Sequence, residues 1–187
     1  QVGGRRVDRD IHGPVRVSTP TLHGRAQIHS AGAVQVQGTM NGYGERCGHA
    51  DLCDIIPNLM LKLNCDCLAD GNLAQLKDVS ELAHELANYR PDSKAPFVGD
   101  SAFAHKGGIH VSALMKNTRT YEHIDPQMVG NDRQVLISDL AGRSSLHYKM
   151  SEFGLDPAAI DLTALLARIK ELAFEGSQFE GADASLK

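Results

Sequence analysis

The sequence has no tryptophan, and aromatic residues make up only 5% of its 187 positions. Positive charge is not in excess either, with 19 Lys and Arg against 23 Asp and Glu, a formal net charge of −4 and a pI near 6.1. Base stacking and a broad basic field drive nucleic-acid binding, and both are weak here, so no nucleic-acid partner is expected. No run approaches the roughly 18 apolar residues of a membrane span. The start, Gln1 to Asp10, is charged rather than basic and then apolar as in a secretory leader. A soluble, cytoplasmic chain without a membrane partner is the expectation. The four cysteines, Cys47, Cys53, Cys65 and Cys67, lie in one short stretch rather than in a spaced framework, which favours reduced thiols. Cys65-x-Cys67 has too few soft partners for a structural zinc site.

The length suits one domain, or a small domain with an appendage, and can bury a real core. Gln1 to Ser30 is rich in Arg, Gly, His and Pro without helical period, so it reads as irregular. Ala33 to Met40 alternates through Val34, Val36 and Gly38 and then meets Asn41-Gly42-Tyr43-Gly44, which predicts a strand followed by a turn. Apolar residues at three-and-four spacing predict a helix over Ala50–Leu63, kinked at Pro57, and another over Leu73–Tyr89 stopped by Arg90-Pro91. Gly107-Gly108 predicts a turn into a short helix. Val135-Leu136-Ile137 is a short strand or an extended linker, and helices are expected at Arg143–Phe153 and Leu162–Phe174.

The loop Asn41-Gly42-Tyr43-Gly44-Glu45-Arg46-Cys47-Gly48-His49 puts three glycines, an acid, a base and an imidazole at the end of a predicted strand. Glycines let backbone approach a ligand, and the charges beside them can orient a carboxylate or metal. A plain tight turn tied by a Glu45 and Arg46 ion pair is the alternative. His105 and His123 have no assignable role and suit packing or surface positions. Lys106, Lys116 and Arg119 could meet the phosphates of a ligand, with solvated surface as the default.

These residues resemble the alpha-isopropylmalate, homocitrate and citramalate synthases, whose barrels end in a loop of the form Asn-Gly-x-Gly-Glu-Arg-x-Gly-Asn. The match is continuous from Gln35 to Gly48 and resumes at Gly99–His110, Tyr121–Pro126, Ser138–Ser144 and Gln178–Glu180. It is closest to the citramalate synthase branch and covers about Ala31 to Lys187.

The resemblance implies an α/β fold: a C-terminal fragment of a (β/α)8 TIM barrel followed by a mainly helical linker region. Residues 31–68 would be the last strand and helix of the barrel and 69–187 the helical linker. A full barrel takes roughly 250 residues, so this chain cannot hold one. Residues 1–30 would be a degraded or frame-shifted barrel segment: Val15 to Thr21 stands where the family has a His-x-His pair. Codons allowed for Arg16 to Thr21 can spell Gly-Val-His-Ala-His in another frame. The chain also stops where the family continues into a regulatory domain, so feedback inhibition is not expected of it.

The resemblance further implies acyl transfer, in which a divalent metal (Mg, Mn or Zn) holds a 2-keto acid as Lewis acid and template while an acetyl-CoA enolate attacks. Pyruvate would give (R)-citramalate, on the route to isoleucine. Asn41, Gly42, Gly44, Glu45 and Arg46 would serve the substrate loop. The family's last loop residue, a metal-binding Asn, is His49 here; imidazole binds Mg or Mn less readily and suits Zn. His110 and Tyr121 map onto the linker residues that assist enolate formation, acting across a homodimer. Imidazole as a base near neutral pH and phenol as a donor to an oxyanion suit that chemistry. The other readings are an inactive dimerising fragment, a homocitrate or isopropylmalate synthase, and a related acyl-CoA lyase.

Overall fold

The computed structural model describes residues 35–179 and 182–186. The expectations for residues 1–30 and for the start of the predicted strand, Ala33 and Val34, lie outside the described residues. What is described is a mainly helical fold with a small parallel sheet.

The predicted strand before the loop is corrected. Residues 35–38 form no strand, and only Thr39 bridges, in parallel sense, to Asp51. A strand persists through the ladder on its neighbour, and among the described residues none lies beside this segment. Thr39 N donates to Ala50 O at 3.0 Å and Leu52 N to Thr39 O at 3.0 Å, so the bridge closes the loop between them.

Helix α1, Leu52–Leu63, begins two residues later than its periodicity suggests. The reason is Asp51, whose carboxylate accepts from Cys53 N and caps the first turn. The helix runs on through the buried Pro57 and ends at Asn64, in the left-handed region. The second predicted helix divides into a 3-10 turn, Asn72–Gln75, and α2, Leu76–Ala87. Left-handed Asn88 ends it before Arg90 is reached. Its apolar stripe is only partly covered: Leu73 and Leu76 are buried, whereas Leu82 is 52% and Leu86 80% exposed.

Strand β1, Ala104–His105, pairs in parallel with β2, Gln134–Val135, with Ala104 opposite Gln134 and His105 opposite Val135. Between them come α3, Gly108–Lys116, and two 3-10 turns, Thr118–Thr120 and Pro126–Val129. Helix α4, Arg143–Glu152, ends one residue before its predicted limit, and α5, Leu162–Phe174, has its predicted bounds. Asp161 caps α5 through Thr163 N and Ala164 N. A short α6 spans Asp183–Leu186.

Two clusters hold these elements. One joins α1 and α2 to the middle of the chain through Cys53, Leu76, Phe97, Phe103 and Val129. The other packs Ile137, Ala141 and Leu146 against Ile169 of α5. Each fully buried large apolar side chain is worth about 1.5–3 kcal/mol. Asn131, 1% exposed, ties the first cluster's loops by donating to Phe97 O at 2.9 Å and Gly99 O at 3.0 Å while accepting from Lys77. No helix among the described residues is long and apolar enough to cross a membrane.

Candidate active site

His110 and Tyr121, predicted from separate motifs, come together. Gly107, extended, leads into α3, and Gly108 N donates to Leu140 O at 3.2 Å, which sets the start of the helix beside the 138–142 turn. Gly108 must be glycine, since a Cβ there would sit 2.8 Å from Gly142 N. His110 is thus carried in the first turn of α3. At the far end Asn117 accepts from Arg119 N, and the 3-10 turn brings Tyr121 back beside α3. The two rings lie 4.3 Å apart between centroids, tilted by 33°, and both side chains face solvent. This arrangement offers a proton acceptor and a phenol donor to one small reacting group.

Under Tyr121 the next residue turns inward. Glu122, 4% exposed, accepts from Arg133 Nε at 2.7 Å and Nη2 at 2.5 Å, and from His105 Nε2 at 3.0 Å. Burial alone would raise this carboxyl, but the hydrogen bonds from Arg133 and His105 outweigh it and hold it below its usual 4.5. His105 is buried, and its imidazole serves as a partner to Glu122. The His123 ring stands edge-on to Phe97 and stacked near Phe103, and burial, then Lys62, lowers its affinity for a proton.

The loop 41–49 forms a separate group. Asn41 is left-handed at φ 58°, and its side chain turns to α2: Nδ2 donates to Ser80 O at 2.8 Å, while Oδ1 accepts from Ser80 Oγ at 2.5 Å and Cys53 Sγ at 3.2 Å. Tyr43 OH bonds His84 Nδ1, and its ring lies against Tyr89. Gly42, at φ 64°, and Gly44 shape the rest; a Cβ on Gly44 would meet His49 Cδ2 at 1.7 Å, so the imidazole of His49 occupies space that only glycine leaves. Glu45 and Arg46 are exposed and make no ion pair with each other, which removes the simple turn held by that pair. No hydrogen bond, ion pair or ring contact joins this loop to His110 or Tyr121.

His49 is exposed on the loop, and among the described residues no three His, Cys, Asp or Glu side chains gather where an ion could sit. One imidazole does not make a site that needs several ligands. The described residues alone therefore form no complete site for a divalent ion. A surface cleft of about 440 Å³ between α1 and residues 94–103, lined by Asn58, Lys62, Phe103 and His123, contains none of the predicted site residues.

Comparison with known proteins gives this geometry a setting. Residues 97–177, which contain His110, Tyr121 and the Glu122 anchor, match the model described as "Homocitrate synthase post-HMGL domain-like". The chain belongs to this synthase family. It is similar to the (R)-citramalate synthase of Aquifex aeolicus, 53% identical over 159 residues, covering 84% of this chain and 30% of that protein. The (R)-citramalate synthase of Geobacter sulfurreducens is 50% identical over 163 residues, with 84% and 30% covered. That of Synechocystis sp. is 54% identical over 159 residues, with 84% and 29% covered. The chain thus spans about 30% of the length of the curated synthases it matches.

The sequence pattern did not reveal the contact that Glu122 makes with Arg133 and His105. Glu122 sits inside the Tyr121–Pro126 motif, and that adjacency was the available signal. Its partners lie 17 and 11 residues away along the chain, and nothing in the sequence pairs them.

Proposed function

We propose that the protein to which this chain contributes condenses acetyl-CoA with pyruvate to give (R)-citramalate. The observation that carries the reading is the ring contact between His110 and Tyr121 on an exposed face. The names of the similar proteins, (R)-citramalate synthases of several organisms, support (R)-citramalate as the product. In this reading His110 takes a proton from the acetyl methyl group, and Tyr121 donates to the oxygen on which negative charge gathers. Glu45 and Arg46, exposed on the loop, orient the keto acid. His49 gives one ligand to a divalent ion, Mg, Mn or Zn, whose remaining ligands come from outside the described residues. The segment 31–68 then corresponds to the end of a (β/α)8 barrel that needs the rest of the full-length protein beside it, with 69–187 as the linker, working in the cytoplasm.

A second reading follows from the separation of the pair from the loop. The chain acts as a dimerising element that presents His110 and Tyr121 to another copy's barrel. A homocitrate or isopropylmalate synthase is the remaining variant; the similar proteins include a "Probable 2-isopropylmalate synthase" from Methanopyrus kandleri, 36% identical over 168 residues.

The test is thiol release from acetyl-CoA on adding pyruvate, with Mg or Mn. It is run on the 187-residue chain and on a version extended to the length of the relatives. Release by the extended enzyme supports the substrate pair, and release with another 2-keto acid but not pyruvate overturns it. If the extended enzyme lacking His110 regains activity when mixed with the 187-residue chain, the second reading holds.

A further inference from the structure

We propose that Glu122 is a positioning residue for the His110–Tyr121 pair, fastening the segments that carry both rings. The proposal rests on the reading above that the pair does the chemistry, although its central test does not.

Three observations lead to it. Tyr121 and Glu122 are consecutive, one facing out at 46% exposure and the other in at 4%, so a fixed Glu122 fixes the backbone from which Tyr121 projects. The same carboxylate accepts from His105 at the end of β1, three residues before the first residue of α3. His110 is therefore fastened to Glu122 through β1 and the Gly107 turn. Arg133, just ahead of β2, completes the anchor, and β2 is hydrogen-bonded to β1 through Gln134 N to Phe103 O and Leu136 N to His105 O. One buried carboxylate thus links the arm bearing the phenol, the arm bearing the imidazole and the strand between them.

Among the described residues the two rings have no hydrogen bond to each other or to a third side chain. A ring contact at the surface is too weak to hold two exposed side chains in one orientation. The order of the pair has to come from beneath. The turn at Asn117 sets the direction in which the chain returns, and Glu122 sets its depth. Charge-assisted, two-pronged bonds from Arg133 suit that task, because they fix angle as well as distance.

The experiment is NMR of the histidine ring protons in the folded 187-residue chain. The Tyr121 ring displaces the His110 signals from their free positions, and Tyr121→Leu measures that displacement. In Glu122→Gln the displacement is expected to shrink by half or more. His105→Gln keeps a donor toward Glu122 and is expected to retain it, whereas His105→Ala loses it. Should Glu122→Gln not fold, the two His105 variants decide the matter. A purely structural Glu122 would lower the thermal midpoint and leave the native-state His110 signals in place. That result in Glu122→Gln, or in His105→Ala, overturns the proposal.

In the extended enzyme Glu122→Gln is expected to lower kcat roughly tenfold to hundredfold, the scale of a small misplacement of reacting groups, with KM for the keto acid little changed. If Tyr121→Phe leaves kcat untouched there, the catalytic reading fails, and the NMR comparison still decides whether Glu122 positions the pair.

Discussion

Arg133 grips Glu122 with two parallel hydrogen bonds, Nε to one carboxylate oxygen and Nη2 to the other, in a site where the carboxylate is almost wholly buried. Removing the guanidinium would leave that charge with His105 as its main partner. Loss of one member of a buried pair costs on the order of 3–5 kcal/mol. Arg133→Ala is expected to lose stability on that scale, read as the midpoint of denaturant unfolding, and a loss below about 1 kcal/mol would mean that the pair behaves as a surface bridge.

The same pair gives the protein an acid limit. A carboxyl held below its usual 4.5 in the fold stabilises the protein fully above the unfolded value, and that contribution drains away as pH falls through the lower folded value. Thermal midpoints should therefore drop as pH goes below about 4.5, and drop less steeply in Glu122→Gln. Parallel pH curves for the two proteins would show that acid unfolding has another origin.

His110 and Tyr121 face solvent, so His110→Asn and Tyr121→Phe should leave stability within about 0.5 kcal/mol. Turnover by the extended enzyme should fall by roughly 10²–10⁴ for His110→Asn, the usual worth of a positioned acid or base. Equal rates for His110→Asn and wild type would remove the imidazole from the reaction.

Asn41 is expected to act as a structural tie. Asn41→Ala strips partners from the buried Ser80 and from Cys53 and replaces a residue that tolerates the left-handed φ of 58° with one that does so less well, at a cost of about 1–3 kcal/mol. Asn41→Gly relieves the backbone but not the lost bonds, so both variants should melt early. Unchanged melting, with only catalysis impaired, would return Asn41 to the substrate loop.

Thiol labelling separates the cysteines. Cys53 is 1% exposed and burial pushes it up to about 11, whereas Cys47 is exposed and Cys67 is exposed with a raised value caused first by partial burial. Iodoacetamide at pH 8 should modify Cys47 first, Cys67 more slowly, and Cys53 only after denaturation, as read by peptide mass spectrometry. Early labelling at Cys53 would indicate that α1 opens readily.

Where local signals agreed, the sequence was a reliable guide. Leu162–Phe174 has an apolar period, a capping Asp161 and a core residue, Ile169, to bury, and its bounds came out as read. Val79, Leu82 and Leu86 share such a period on α2 yet stand exposed, because a stripe says which face is apolar and not what covers it. The strand at Ala33–Met40 failed among its described residues for a related reason: alternation needs a neighbouring strand to become a ladder. At the candidate site, His110 and Tyr121 could be singled out because each sits in a contiguous motif, and their rings meet. The carboxylate that anchors them was not, since ion pairs across 11 and 17 residues leave no periodic trace.

The tie at Asn41 also bears on how the protein ages. An Asn followed by Gly is chemically fragile, because the unhindered next amide nitrogen can attack the side-chain carbonyl and release ammonia. Here that carbonyl oxygen is engaged by Ser80 and Cys53, and the Gly42 nitrogen donates to Thr39 O at 3.2 Å. Folding thus ties up the attacking nitrogen and restrains the side chain that it must reach, and the gain of a negative charge at position 41 during storage becomes a clock that runs mainly while the loop is open.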